Sequence, residues 1–116
     1  MHRAHELQDE LRDLGRALRE EIGPVYAAYA QLARAAMADG ALSRKTKELI
    51  ALAIAVSREC DGCIVAHARG AARAGASAPE VAEALGVAVM MNGGPGTVWG
   101  PRAFSAYREF AERDSA

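Results

Sequence analysis

An all-α fold of about six helices is what this sequence predicts, and three observations carry the prediction. β-branched residues are scattered and alternation is never sustained, so strands have no signal. Ala, Leu, Glu and Arg, all strong helix formers, dominate the stretches between breakers. The breakers themselves (Gly23-Pro24, Asp39-Gly40, Gly75 and Asn92-Gly93-Gly94-Pro95-Gly96) cut the chain into helix-length pieces. At 116 residues the chain has the size of one ordinary domain. Residues 1–116 are therefore read as a single helical bundle, with residues 1–40 forming an N-terminal helical pair.

The first helix is expected from about His5 to Glu21, because Leu7, Leu11, Leu14 and Leu18 recur at three- and four-residue intervals opposite a charged face. Gly23-Pro24 ends it, and Pro24 suits the first turn of a second helix over about Val25 to Ala38, closed by Asp39-Gly40. Ser43 is a good N-cap for a third helix from Arg44 to Ser57. That helix is apolar almost all round after Glu48 and should be central. A break near Arg58 to Asp61 leads into a fourth helix that runs through His67 and Arg73 to Gly75. Ser77 and Glu80 make a capping box for a fifth helix, about Pro79 to Met91. The glycine run then reads as a tight turn permitting close packing, and a last helix, about Pro101 to Glu112, carries Phe104, Tyr107 and Phe110.

The composition bounds the partners. Twenty-seven alanines stand against 26 larger aliphatic, Met and Phe residues, so much of the apolar fraction is methyl-sized and buries little area per residue. A lone chain would have a thin core, and pairing with copies of itself is expected to complete it. Fourteen basic residues oppose 15 acidic ones with no single-signed block, which excludes a nucleic-acid or anionic-membrane footprint. The apolar window Leu49 to Val56 is too short to cross a bilayer, and the charged amino terminus is no secretory signal. These features place the protein in the cytoplasm, where a close cysteine pair reads first as redox-active or metal-binding.

The chemistry-bearing motif is C-x-x-C-x-x-x-H: Cys60, Cys63 and His67. On a helix these residues fall one turn apart and can point into one small volume. The start of the fourth helix favours a thiolate there, and the thiolate is the nucleophile. If the third and fourth helices form an antiparallel hairpin, Glu48 and His67 both lie roughly 12 to 15 Å along the paired axes and can face each other. A carboxylate beside an imidazole orients the ring and raises its basicity, so Glu48, His67 and Cys63 can relay protons while Cys60 closes the disulfide. Spacing from His67 assigns Cys63 as the activated thiol and Cys60 as the resolving one, whereas the helix dipole alone favours Cys60.

Glu48, Cys60-Asp61-Gly62-Cys63 and His67, followed by Gly75, Glu80 and Met90-Met91-Asn92-Gly93-Gly94-Pro95, resemble the AhpD-like alkylhydroperoxidase branch of the carboxymuconolactone decarboxylase superfamily. The resemblance covers about Leu42 to Phe110. It implies an all-helical protein that assembles as a trimer or hexamer. It also implies a peroxidase of the peroxiredoxin type, with Cys60, Cys63, His67 and Glu48 as the catalytic set. Its substrate would be an organic hydroperoxide or a disulfide, a thiol or dithiol donor would reset it, and it would need no metal, haem or flavin. One departure is present: that branch carries a further His just before the second cysteine, where this chain has Gly62. The decarboxylase branch proper lacks the cysteine pair.

Two other readings remain open. Cys60, Cys63 and His67 are acceptable zinc ligands, with a fourth ligand to be found, for which His2 or His5 would have to fold back or cross a subunit boundary. Alternatively the cysteines are inert packing groups of an oligomeric scaffold. His2 and His5 read as exposed terminal residues, Arg69 and Arg73 as surface or subunit contacts, and Trp99, Phe104, Tyr107 and Phe110 as core or interface anchors.

Overall fold

The computed structural model describes residues 3–115, and among these no strand occurs. Six helices follow in order: α1 (Arg3–Glu21), α2 (Gly23–Met37), α3 (Arg44–Ser57), α4 (Asp61–Arg73), α5 (Ala78–Asn92) and α6 (Gly94–Ser115). The caps explain most of the boundaries. The Ser43 hydroxyl accepts the Thr46 amide at 3.2 Å and starts α3. Ser77 and Glu80 form a reciprocal capping box at the start of α5. The Ser77 backbone amide, and after it Lys45, hold the Glu80 carboxyl down to about 2.

Helices α3 to α6 pack together around a core drawn from Leu52, Val56, Ile64, Val65, Val81, Leu85 and Phe110. Among the described residues half of the 16 buried apolar ones are alanines, so the helices approach closely but little area is buried per contact. Helix α1 lies against α4 and α6. The Tyr107 hydroxyl donates to the Ala76 carbonyl at 2.5 Å and ties α6 to the turn after α4; burial pushes its phenol up. Helix α2 contributes no buried residue and leans mainly on α1 and α3.

Three expectations need correction. The last helix begins at Gly94, not near Pro101, so most of the glycine run is helical. Gly93, at φ 67°, makes the turn by itself, and Pro95 falls in the first turn, where no amide donor is required. Gly96 allows α6 to meet α5, since a Cβ there would lie 2.8 Å from the Val89 Cα. Second, α3 is not enclosed on all sides: Ile50 and Ile54 are exposed. Third, the leucine stripe of α1 is covered only at its start, and Leu14 and Leu18 lie open to solvent.

Candidate dithiol site

The turn from α3 into α4 positions the motif. Glu59 takes a left-handed conformation, φ 52°, and this lets the Cys60 amide turn back to the Ala55 carbonyl. Cys60 then serves as the N-cap of α4, its Sγ accepting the Cys63 amide at 3.3 Å. Sulfur thus takes the place usually held by a Ser or Asp oxygen and receives the positive end of the helix. Asp61 shares that end, its carboxylate accepting the Gly62 amide at 2.6 Å. Cys60 and Cys63 are joined as a disulfide, with their Cα atoms 5.3 Å apart. Cys60 is half-buried and Cys63 is exposed.

One turn beyond Cys63, the His67 Nδ1 lies 2.8 Å from the Glu48 Oε1 across the α3–α4 hairpin. Glu48 is only 3% exposed, so this carboxylate is removed from bulk water and its hydrogen bond to the ring fixes the ring's orientation. A carboxylate accepts, so Nδ1 donates, and in the neutral ring Nε2 then carries the lone pair. The His67 side chain is 32% exposed, so the ring is in part open to solvent.

The space that Glu48 occupies is made by a residue that sequence reasoning passed over. A Cβ on Gly70, one turn after His67, would stand 1.6 Å from the Glu48 Oε2 and 2.4 Å from its Cδ. A second omission lies at the other end of the chain. His5 is not an exposed terminal residue: its Nδ1 hydrogen-bonds to the Glu109 Oε2, its ring sits 4.3 Å from that of Phe110, and its side chain is 18% exposed. Glu109 also accepts the Ala4 amide at 3.2 Å and the His5 amide at 2.9 Å. Burial pushes the Glu109 carboxyl up, but the hydrogen bonds from the His5 ring and from these two amides outweigh it and hold the group below the usual carboxylate range. His2 lies outside the described residues.

Other candidates have ordinary roles. Arg69 reaches the Gln8 side chain at 3.4 Å, a tie between α4 and α1. A cavity of about 430 Å³ between α1, α4 and α6, bordered by Leu7, Asp61, Ile64, Trp99 and Arg102, contains neither cysteine, nor His67, nor Glu48. Among the described residues no group of three or more His, Cys, Asp or Glu side chains is arranged to hold a metal ion. No helix among them is long and apolar enough to cross a membrane.

Comparison with known proteins agrees with this architecture. The apo crystal structure of a carboxymuconolactone decarboxylase family protein from Legionella pneumophila superimposes with a TM-score of 0.91 at 36% identity, covering 96% of this chain and 99% of that one. An uncharacterized protein from Cupriavidus necator is 33% identical over 105 residues, 88% of this chain and 93% of its own length. Uncharacterized protein 4 of the cox locus of Paracoccus denitrificans is 43% identical over 67 residues, 58% of this chain and 60% of its own. Residues 23–109, from the start of α2 to Glu109, match the family model described as the carboxymuconolactone decarboxylase family, and the chain belongs to that family.

Proposed function

We propose that this protein is a thiol-dependent oxidoreductase of the AhpD-like type, reducing an organic hydroperoxide by cycling Cys60 and Cys63 between dithiol and disulfide. The observation that carries the reading is the joining of the two sulfurs at the start of α4, one turn from an imidazole held by a buried carboxylate. In the oxidative half, the Cys63 thiolate attacks the peroxide. The O–O bond breaks, the alcohol leaves with a proton relayed through His67, and Cys63 becomes a sulfenic acid. The Cys60 thiolate then displaces the hydroxyl, which leaves as water when protonated, and the disulfide closes.

Reduction takes two electrons from a donor dithiol. The first donor thiolate attacks the exposed Cys63 sulfur, the S–S bond breaks, and Cys60 leaves as a thiolate at the N-cap, where the Cys63 amide receives it. The second donor thiolate then attacks the first donor sulfur, the mixed disulfide breaks, Cys63 leaves as its thiolate, and the donor's own disulfide closes. Exposure of Cys63 and capping by Cys60 both support this division of labour, and it reconciles the spacing argument with the dipole argument. The family includes other chemistries, but the cysteine pair supplies a nucleophile and its resolving partner without a bound group.

A homo-oligomer, trimeric or hexameric, is part of the proposal. Its support is the uncovered apolar surface: Val25, Tyr29 and Leu32 on α2, and Met90 and Met91 on α5, the last two 72% and 74% exposed. The test of function is a thiol count. The reduced protein should show two reactive thiols and, after one equivalent of an organic hydroperoxide, none. Cys63→Ser should abolish consumption of peroxide, whereas Cys60→Ser should stop after the first oxidation. Persistence of both thiols in the parent protein rejects the reading.

A further inference from the structure

We infer that Gly70 is a positioning residue for the dithiol chemistry: its missing side chain is the socket that sets the depth of the Glu48 carboxylate against α4, and thereby its hydrogen bond to His67. The inference deepens the proposed function and rests on it for the word chemistry, but the geometry stands by itself. Gly70 follows His67 by three residues and so shares its face of α4. Glu48 reaches across from α3 with one oxygen, Oε1, on the ring nitrogen and the other, Oε2, over the Gly70 Cα.

The three heavy atoms nearest to a Cβ at position 70 all belong to the Glu48 carboxyl: Oε2 at 1.6 Å, Cδ at 2.4 Å and Oε1 at 2.9 Å. No real Cβ tolerates such approaches, so an alanine there must push the carboxylate outward by more than an ångström. The hydrogen bond to His67 is 2.8 Å long, and a displacement of that size takes it beyond bonding range. Because the obstructed atoms form the end of a flexible side chain, the helices need not separate. The carboxylate moves and the fold stays.

This gives Gly70→Ala an unusual signature. In the interior of a helix the substitution ordinarily stabilises, since alanine is the better helix former. Here it should leave the helical circular dichroism intact while erasing the downfield NMR signal of the His67 Nδ1 proton. The alkylation of Cys63 by iodoacetamide in the reduced protein should slow toward the rate of Glu48→Ala, with a change of the same sign in its pH profile. Gly70→Ala combined with Glu48→Asp, whose shorter side chain clears the added methyl, should recover part of the rate.

A double-mutant cycle closes the test. In a Glu48→Ala background, Gly70→Ala should change neither the alkylation profile nor the melting temperature, except for the small gain alanine brings to a helix. Retention of the Nδ1 proton signal and of the parent pH profile in Gly70→Ala overturns the inference. So does a loss of folding that persists in the Glu48→Ala background, because position 70 would then act through something other than Glu48. These readouts use generic alkylation and NMR, so a protein that consumes no hydroperoxide would refute the proposed function while leaving this inference to stand or fall by itself.

Discussion

Among the described residues two buried carboxylates bond to imidazoles, Glu48 to His67 and Glu109 to His5, and their surroundings differ. Glu109 spends its oxygens on the first turn of α1 as well as on the ring, taking the Ala4 and His5 amides from 105 and 104 residues away. It accepts amides of the first turn of α1 and fastens that helix to α6. Glu48 instead directs its bond across a hairpin to one nitrogen of a ring whose side chain is partly exposed. The same pairing is a fastener where backbone amides consume it and, under the proposed function, a proton handle where sulfur lies one turn away. The pair by itself specifies neither.

Exchanging carboxylate for amide should separate the two duties, with the largest effect at Glu48. Glu48→Gln keeps an acceptor for Nδ1 but removes the charge that steadies a protonated ring. Hydroperoxide-dependent disulfide formation should fall by roughly 100-fold, the lower range for a lost general base. Its melting temperature should stay close to the parent's, and stopped-flow oxidation beside a thermal melt would measure both. Glu109→Gln should do the reverse. Losing charge-assisted hydrogen bonds in a buried site should cost about 2 kcal/mol in a denaturant titration, with thiol oxidation changed less than twofold or so.

Acid should sharpen the same contrast. The Glu109 carboxyl is held below its ordinary value of 4.5, so its contribution to stability is complete above that pH and is lost as the pH falls through its lower folded value. Stability measured from pH 5 downward should drop less steeply in Glu109→Gln than in the parent, and equal slopes would refute the assignment. The smallest effect belongs to Asp61, whose charge sits beside Cys60 at the N-terminus of α4. Asp61→Asn leaves more of the helix's positive end to the Cys60 sulfur, and should favour its thiolate by about 0.3–1 kcal/mol. The readout is a few-fold faster reduction by dithiothreitol.

Local signals made one pair legible and hid the other. Ser43, the apolar run behind Glu48 and the break before Cys60 defined a hairpin, and a hairpin converts sequence spacing into distance, so Glu48 and His67 could be brought face to face on paper. No comparable ruler connects His5 to Glu109, because their meeting depends on how α1 and α6 pack after the whole bundle has formed. The start of α6 was hidden for a different reason. Gly93 to Gly96 has the composition of a loop, yet a proline in a first helical turn costs no hydrogen bond, and Gly96 was needed for its contact with Val89. Gly70 was invisible because its role is the volume it leaves to a side chain from another helix. Continuous apolarity in α3 signalled full burial, but a sequence pattern cannot say whether a face such as Ile50 and Ile54 is covered by its own chain.

Leu11 of α1 reaches Gly62, between the two cysteines, closely enough that an added Cβ would lie 3.0 Å from its Cδ1. The position where the AhpD-like branch carries an imidazole is here roofed by an aliphatic methyl from a helix that precedes the stretch matched to the family. The doorstep of the sulfur pair is thus furnished by a part of the chain that can vary without touching the motif. Two relatives could keep every sulfur and imidazole in register and still admit visitors of different shape.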